Sequence, residues 1–343
     1  MTSIKDVARE VGVSTATVSR ALRGLPRVSD ETRFRVLQAA AELDYVASPT
    51  AASLASGQTR AVGVVVPHVT RWFYASVVQG AEELLRAEGY DLLLYNLGGD
   101  REARRRVFRS HLLRKRVDAV IVLSLTPTAE EVRELGKLDR PVAVVGATVP
   151  GWSSVRIDDM ETARIAMRHL LDLGHRRIGY IGGSLEEQLD FAAPLDRLQG
   201  YRSAMDTAGL EVHPSWEIIG DFTVRGGLAA MRLLLEAEER PTAVFAASDE
   251  MAVGAAYAVR EAGLRVPEDI SVIGIDDHDM AEFFGLSTVA QPVHEQGRLA
   301  ARLLLDVIAA DGDRVRQKAL TVPTRLLVRS TTAPPAAGPA RPS

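Results

Sequence analysis

Arg20 carries a planar fork of N–H donors that matches the O6 and N7 acceptors of guanine. One helical turn before it stand Thr15 and Ala16, which can offer a thymine methyl an apolar contact and a base edge one hydroxyl. Thr17 and Ser19 bring hydroxyls of the kind that grip phosphate, which positions a protein without specifying sequence. Such groups could serve base edges and phosphates, provided that a helix carried its first turn into the major groove. Other chemistries are poorly served. The chain has no cysteine, so disulfides, thiolate zinc sites and a thiol nucleophile are excluded. Its histidines fall at no metal-ligand spacing, and neither a metal nor a cofactor is expected. "GYIGGS" is not G-x-G-x-x-G, and no Walker A sequence occurs. Asp276, Asp277 and His278 have no nucleophile elbow beside them, so an enzyme is not expected.

The elements that must hold Arg20 are readable. Ser3 caps a short helix with Asp6 three residues on, and Ile4, Val7, Ala8 and Val11 form its apolar stripe. Gly12 breaks it, since glycine enters the left-handed turn without steric cost. Ser14 caps a second helix that buries Val18, Ala21 and Leu22, and Gly24 and Pro26 end it. Ser29 caps a third, with Phe34, Leu37, Ala40, Ala41 and Leu43 at helical spacing. Three helices with a glycine turn between the first two are the helix-turn-helix plan.

Net charge is −4, but residues 1–60 hold eight basic against six acidic side chains, so the excess acid lies elsewhere. Residues 45–60 are small and polar, with Leu54 as the one bulky apolar side chain. Beyond Arg60 the texture changes. Val/Ile-rich runs such as Val62–Pro67, Val117–Leu123 and Ser271–Ile275 alternate with amphipathic segments such as Ser76–Ala87, Glu102–Arg114 and Arg197–Ala208. That alternation predicts parallel sheets covered on both faces, repeated over about twice the length of one doubly wound domain. Ligands of such folds sit at the C-terminal strand ends, between the halves. The end of the chain, "TTAPPAAGPARPS", reads as disordered. "MTSIKDVARE" carries acids and no apolar run, so no secretory signal is expected, and no apolar stretch is long enough to span a membrane.

Taken together, "IKDVAREVGVSTATVSRALRG", "SDETRFRVLQAAAELDY", "VGVVVP", "HLLDLGHRRIGYIGG", "DRLQGY", "ASDEMAVGA" and "ISVIGIDD" resemble, in order, the bacterial LacI/GalR transcriptional regulators. The resemblance runs from Ser3 to about Ser330. It implies an all-α helix-turn-helix head (1–46), a hinge (47–60) and an α/β core (61–330) like a periplasmic sugar-binding protein. Two doubly wound parallel-sheet subdomains would share that core, about 61–160 with 292–320 and about 161–291 with 321–330, ahead of a disordered tail (331–343). It implies a cytoplasmic homodimer that represses transcription from double-stranded, pseudo-palindromic operator DNA and is released by a small-molecule effector, a sugar by preference. The alternatives are a sugar-binding protein or enzyme on the same core, or a regulator answering to a phosphoprotein or nucleobase. DNA contacts would come from Thr15, Ala16, Thr17, Ser19, Arg20 and Ser29, with Leu54 wedged into the minor groove. By the same resemblance, Phe73 and Tyr74 stack on the effector, Arg197 donates to its oxygens, Asp276 accepts from it and Phe222 walls it. Ser248 and Gln291 complete that set, and Asp158 is a substitute acceptor where Gly146 and Leu123 supply no polar side chain. The chain departs from the family pattern at Ala52, where arginine is frequent, and at Gly146 and Leu123, where strand ends often bear polar side chains.

Overall fold

The computed structural model describes residues 2–22, 24–45, 58–109, 116–184, 193–310 and 317–336. The chain divides into two compact units, Met1–Ala61 with Lys115–Asp118 and the remainder.

In the first unit, α1 (Ile4–Val11), α2 (Thr15–Leu22) and α3 (Asp30–Glu42) enclose a small core. Val7, Val18 and Val36, one from each helix, are fully buried, which contributes roughly 1.5–3 kcal/mol apiece. The Asp6 carboxylate accepts from the Ser3 amide at 3.0 Å and its hydroxyl at 2.6 Å, fixing the start of α1. Gly12, at φ 73°, makes the turn into α2. Two arginines brace the unit through backbone carbonyls. Arg33 donates to Ala21 and Leu25, and Arg35 to Val11. So neither guanidinium of α3 is simply a surface charge.

The second unit begins with β1 (Ala61–Val66), α4 (Trp72–Ala87), β2 (Asp91–Asn96), α5 (Arg101–Arg109) and β3 (Ala119–Leu123). Next come α6 (Ala129–Gly136), β4 (Val142–Val145) and β5 (Ser153–Arg156). A second series follows: α7 (Asp159–Asp172), β6 (Ile178–Gly182), α8 (Ala193–Thr207), β7 (Glu217–Ile219), α9 (Val224–Glu236) and β8 (Ala243–Ala246). It closes with α10 (Asp249–Glu261), β9 (Ser271–Asp276), β10 (Ser287–Ala290), α11 (Val293–Ala309), β11 (Ala319–Thr321) and β12 (Arg325–Leu327). Two six-stranded sheets result, in the orders β11-β5-β4-β3-β1-β2 and β12-β10-β9-β8-β6-β7. Apart from β12, which runs antiparallel to β10, the ladders are parallel. Each sheet reverses its order beside its first strand, between β1 and β3 and between β6 and β8. That is where a doubly wound fold opens a crevice at its C-terminal edge.

The chain passes between the two lobes three times, after β5, after β10 and between β11 and β12. The crossings are tied together. The Thr162 and Thr324 hydroxyls lie 3.1 Å apart, and the Val322 amide donates to the Arg156 carbonyl at 2.7 Å. α4 and α11 pack backbone to backbone. A Cβ on Gly80 would stand 2.0 Å from the His294 carbonyl oxygen, and one on Gly297 would stand 1.9 Å from that of Val77.

Several expectations need correction. The helix expected from Ser76 begins at Trp72, because Tyr74 and Val77 bury against the first sheet and outweigh modest aromatic helix propensity. Residues 331–336 do not belong with a disordered tail. The Thr331 amide-bearing segment is sewn to the second sheet: the Val272 amide donates to the Thr331 carbonyl, the Thr331 hydroxyl to the Val272 carbonyl, and the Ser271 hydroxyl to the Ala333 carbonyl. The His175 imidazole holds the Ala333 carbonyl as well, at 2.8 Å.

Candidate functional site

On the head, Thr15 and Ala16 are exposed at the first turn of α2, which leaves their side chains free to meet a base edge. Thr17 is partly committed: its amide donates to the Ser14 hydroxyl at 3.1 Å, and its own hydroxyl pairs with the same oxygen. Ser19 is half-buried. Arg20 folds back so that Nη2 donates to the Pro26 carbonyl at 3.1 Å, while Nε is buried without a partner. Ser29 caps α3, accepting from the Thr32 amide and donating to the Thr32 hydroxyl. Leu54 and the rest of hinge residues 47–57 lie outside the described residues.

In the core, a cleft opens at the C-terminal ends of strands from both sheets, the place where doubly wound folds take their ligands. The first lobe supplies Phe73 after β1, Ser124 after β3, Gly146 after β4 and Ile157 after β5. The second supplies Phe222 after β7, Ser248 after β8, Asp276 at the end of β9 and Gln291 after β10. Tyr74, Asp159, Arg197, Glu250 and Gln296 add to the wall. Of the eight positions anticipated for an effector, seven therefore line one cavity. The eighth does not. Asp158 is exposed, and its carboxylate accepts from the Glu161 amide as the cap of α7. Its neighbour Asp159, the first helical residue, turns inward instead, and residue type alone does not distinguish two adjacent acids. Likewise the end of β3 presents Ser124, while Leu123 is fully buried.

The backbone bends sharply at these strand ends. Ser124, Phe222 and Asp276 have φ of 50°, 53° and 127°, values that disfavour any side chain. Such departures cost on the order of 1–3 kcal/mol each and persist where surrounding packing enforces them. Gly146, at φ 78°, has a second reason to lack a side chain: a Cβ would sit 2.7 Å from the Ser124 hydroxyl.

Comparison with known proteins agrees with both halves of this picture. Residues 3–48 match the family described as "Bacterial regulatory proteins, lacI family", and residues 167–332 match the "Periplasmic binding protein-like domain". Catabolite control protein A of Priestia megaterium is 35% identical over 335 residues, 96% of this chain and 99% of that protein. The ribose operon repressor of Haemophilus influenzae is 34% identical over 334 residues, covering 96% and 98%. The chain belongs to the LacI family. A solved lac repressor dimer, bound to operator and the anti-inducer ONPF, superposes with a TM-score of 0.85 at 27% identity, over 97% of this chain and 99% of that one. This LacI-family chain is accordingly a DNA-binding transcription regulator and not an enzyme.

The electrostatics of the LacI-family cleft centre on Arg197 and Asp276. Arg197 is buried; its Nε donates to Asp159 at 2.8 Å and its Nη1 to the Ala247 carbonyl. Its Nη2 is left without a hydrogen-bond partner among the described residues. Asp276 accepts from the Gln291 amide at 2.6 Å, and the Gln291 carbonyl accepts from Gln296 of α11 at 2.8 Å. Burial pushes the Asp276 carboxyl up to about 7, against the opposing pull of Arg197 and the Gln291 bond. Behind it, Asp249 accepts from the Thr288 hydroxyl at 2.7 Å and the His278 amide at 2.9 Å, and burial raises it well above the usual carboxylate range. Gly274 makes room for that acid, since a Cβ there would lie 2.1 Å from its Oδ1. Sequence reasoning missed Asp159 and Gln296. A buried Arg197 demands an acid nearby, and that demand was the available signal for the first.

Proposed function

We propose that the protein is a cytoplasmic, homodimeric repressor whose heads bind the halves of a pseudo-palindromic operator and are released when a small effector occupies the core cleft. The observation that carries this reading is the convergence of strand ends from both lobes on one cavity containing Arg197, Asp276, Gln291, Phe73 and Phe222. An uncharged polyhydroxyl molecule suits it. Asp276 accepts from hydroxyls, Arg197 donates to oxygens, and the phenyl faces cover the C–H faces of a sugar ring. Three carboxylates (Asp159, Glu250, Asp276) against two guanidiniums (Arg71, Arg197) disfavour an anion. Among the described residues no helix is long and apolar enough to cross a membrane. The test is a thermal-shift screen of the full chain against sugars, sugar phosphates and nucleosides. Any hit is then added to an operator mobility-shift assay, with sedimentation giving the mass of the complex. A stabilising sugar that releases DNA from a dimer is the expected result; a sugar that binds without altering DNA binding would refute the coupling.

Asp276 makes the effector response depend on pH. A hydroxyl donating to it favours the carboxylate, so its bound value falls below the free value of about 7 and binding releases a proton. Affinity is thus fully present above neutrality and is lost as pH falls through about 7, by up to about tenfold per pH unit. Calorimetric titration across pH 6 to 8 checks the slope. Asp276→Asn should flatten it, and an unchanged slope in that variant would assign the proton elsewhere.

A further inference from the structure

Two consecutive residues at the start of α4 reach across the mouth of the cleft. Arg71 Nη1 donates to the Asp221 carbonyl at 2.7 Å, and Trp72 Nε1 donates to the Asp279 carboxylate at 3.0 Å. The Trp72 indole also lies against the His278 imidazole, with centroids 4.7 Å apart and planes inclined by 34°. Arg71 and Trp72 belong to the first lobe, while Asp221, His278 and Asp279 follow β7 and β9 of the second. The two bonds therefore exist only while the lobes are together. Both receiving loops are strained, with Asp221, Phe222, Asp276 and Asp277 all at positive φ. His278 is held in place by its amide bond to Asp249, and its Nδ1 accepts from the Met280 amide at 3.0 Å. A donor pair on one rigid helix end thus meets a preformed acceptor pair on the other lobe.

We propose that Arg71 and Trp72 form a latch that holds the two lobes of the core together. Arg71 also lines the cleft, so the same guanidinium that ties the lobes borders the effector. Entry then requires the latch to open, and closure over a bound molecule remakes it. This last consequence alone rests on reading the cleft as an effector pocket. The latch itself rests on the contacts between the lobes alone. Its two contributions differ in kind. The Arg71 bond goes to backbone and is indifferent to the side chain at 221. The Trp72 bond is charge-assisted and depends on Asp279. Trp72 and Asp279 are therefore the positions at which the latch can be weakened without touching the cavity wall.

The chain has no cysteine, so two spin labels can be placed without background. Ala129→Cys on α6 and Ala229→Cys on α9 put one label on an exposed position of each lobe. Pulsed electron–electron distance measurement on the full chain, mixed with excess unlabelled chain so that each dimer carries one labelled copy, and with no effector added, should give one short, narrow distribution. Trp72→Ala and Asp279→Ala, made separately, should each raise a longer component, by roughly fivefold for loss of one charge-assisted surface bond. Asp279→Ala guards against a packing artefact at Trp72, because Asp279 is exposed. If both variants keep the parental distribution, the latch is overturned. No effector enters the measurement, so failure of the effector reading would leave the latch standing, and the converse also holds.

Discussion

Arg197→Ala is expected to abolish the effector response while operator binding persists. The guanidinium lies at the cleft with Nη2 unused, and a charged hydrogen bond to a ligand oxygen contributes about 1.5–3 kcal/mol. Losing it lowers effector affinity by roughly ten- to hundredfold. The alanine has a second effect. It strands the Asp159 carboxylate, which is buried and paired with Arg197 at 2.8 Å. Breaking a buried ion pair from one side costs about 3–5 kcal/mol, because the remaining charge is desolvated and uncompensated. Arg197→Met combined with Asp159→Asn removes both charges and keeps the volume. Core stability should recover in the double variant while the effector response stays lost. Calorimetry and operator release, measured on both proteins, separate the two effects. A normal response in the double variant would remove Arg197 from the site.

Arg20→Ala is expected to relax base preference at one position of each operator half-site. A bidentate arginine–guanine pair discriminates by about 1–3 kcal/mol, and two half-sites double that, which is roughly thirtyfold or more in affinity. In the head, Arg20 Nη2 donates to the Pro26 carbonyl and Nε is buried without a partner. The alanine removes an unsatisfied donor, so the head should not lose stability through that atom. Binding measured against an operator library with one half-site position varied decides the matter. A uniform loss across all bases, with a reduced salt slope, would show a phosphate contact instead.

Much of this was legible in the residues. Fully buried parallel strands announce themselves as Val/Ile runs, and β1, β3, β4 and β9 were readable for that reason. β5, β11 and β12 were not. "SSVR", "ALT" and "RLL" are too short to show a period and take their pairing from the sheets they join. α6, with "AEEVRELG" behind a Thr128–Glu131 capping box, offered a signal that went unread. At the site, motif order placed Phe73, Arg197 and Asp276 together, but it could not tell Asp158 from Asp159. One residue separates a helix cap from an inward-facing first turn, and only the partner at Arg197 decides which is which. Nor did composition foretell the Trp72 bond to Asp279, whose partners lie 207 residues apart.

The three crossings between lobes also set an order of manufacture. A ribosome releases the head, complete by Tyr45, long before either sheet has its last strand. The first sheet waits for Ala319–Thr321, and the second waits for Arg325–Leu327 and the Thr331–Ala333 segment that its histidine and serine hold. Both lobes therefore ripen together, in the closing moments of synthesis. Any product cut short before residue 319 carries a reader of DNA with nothing finished to govern it.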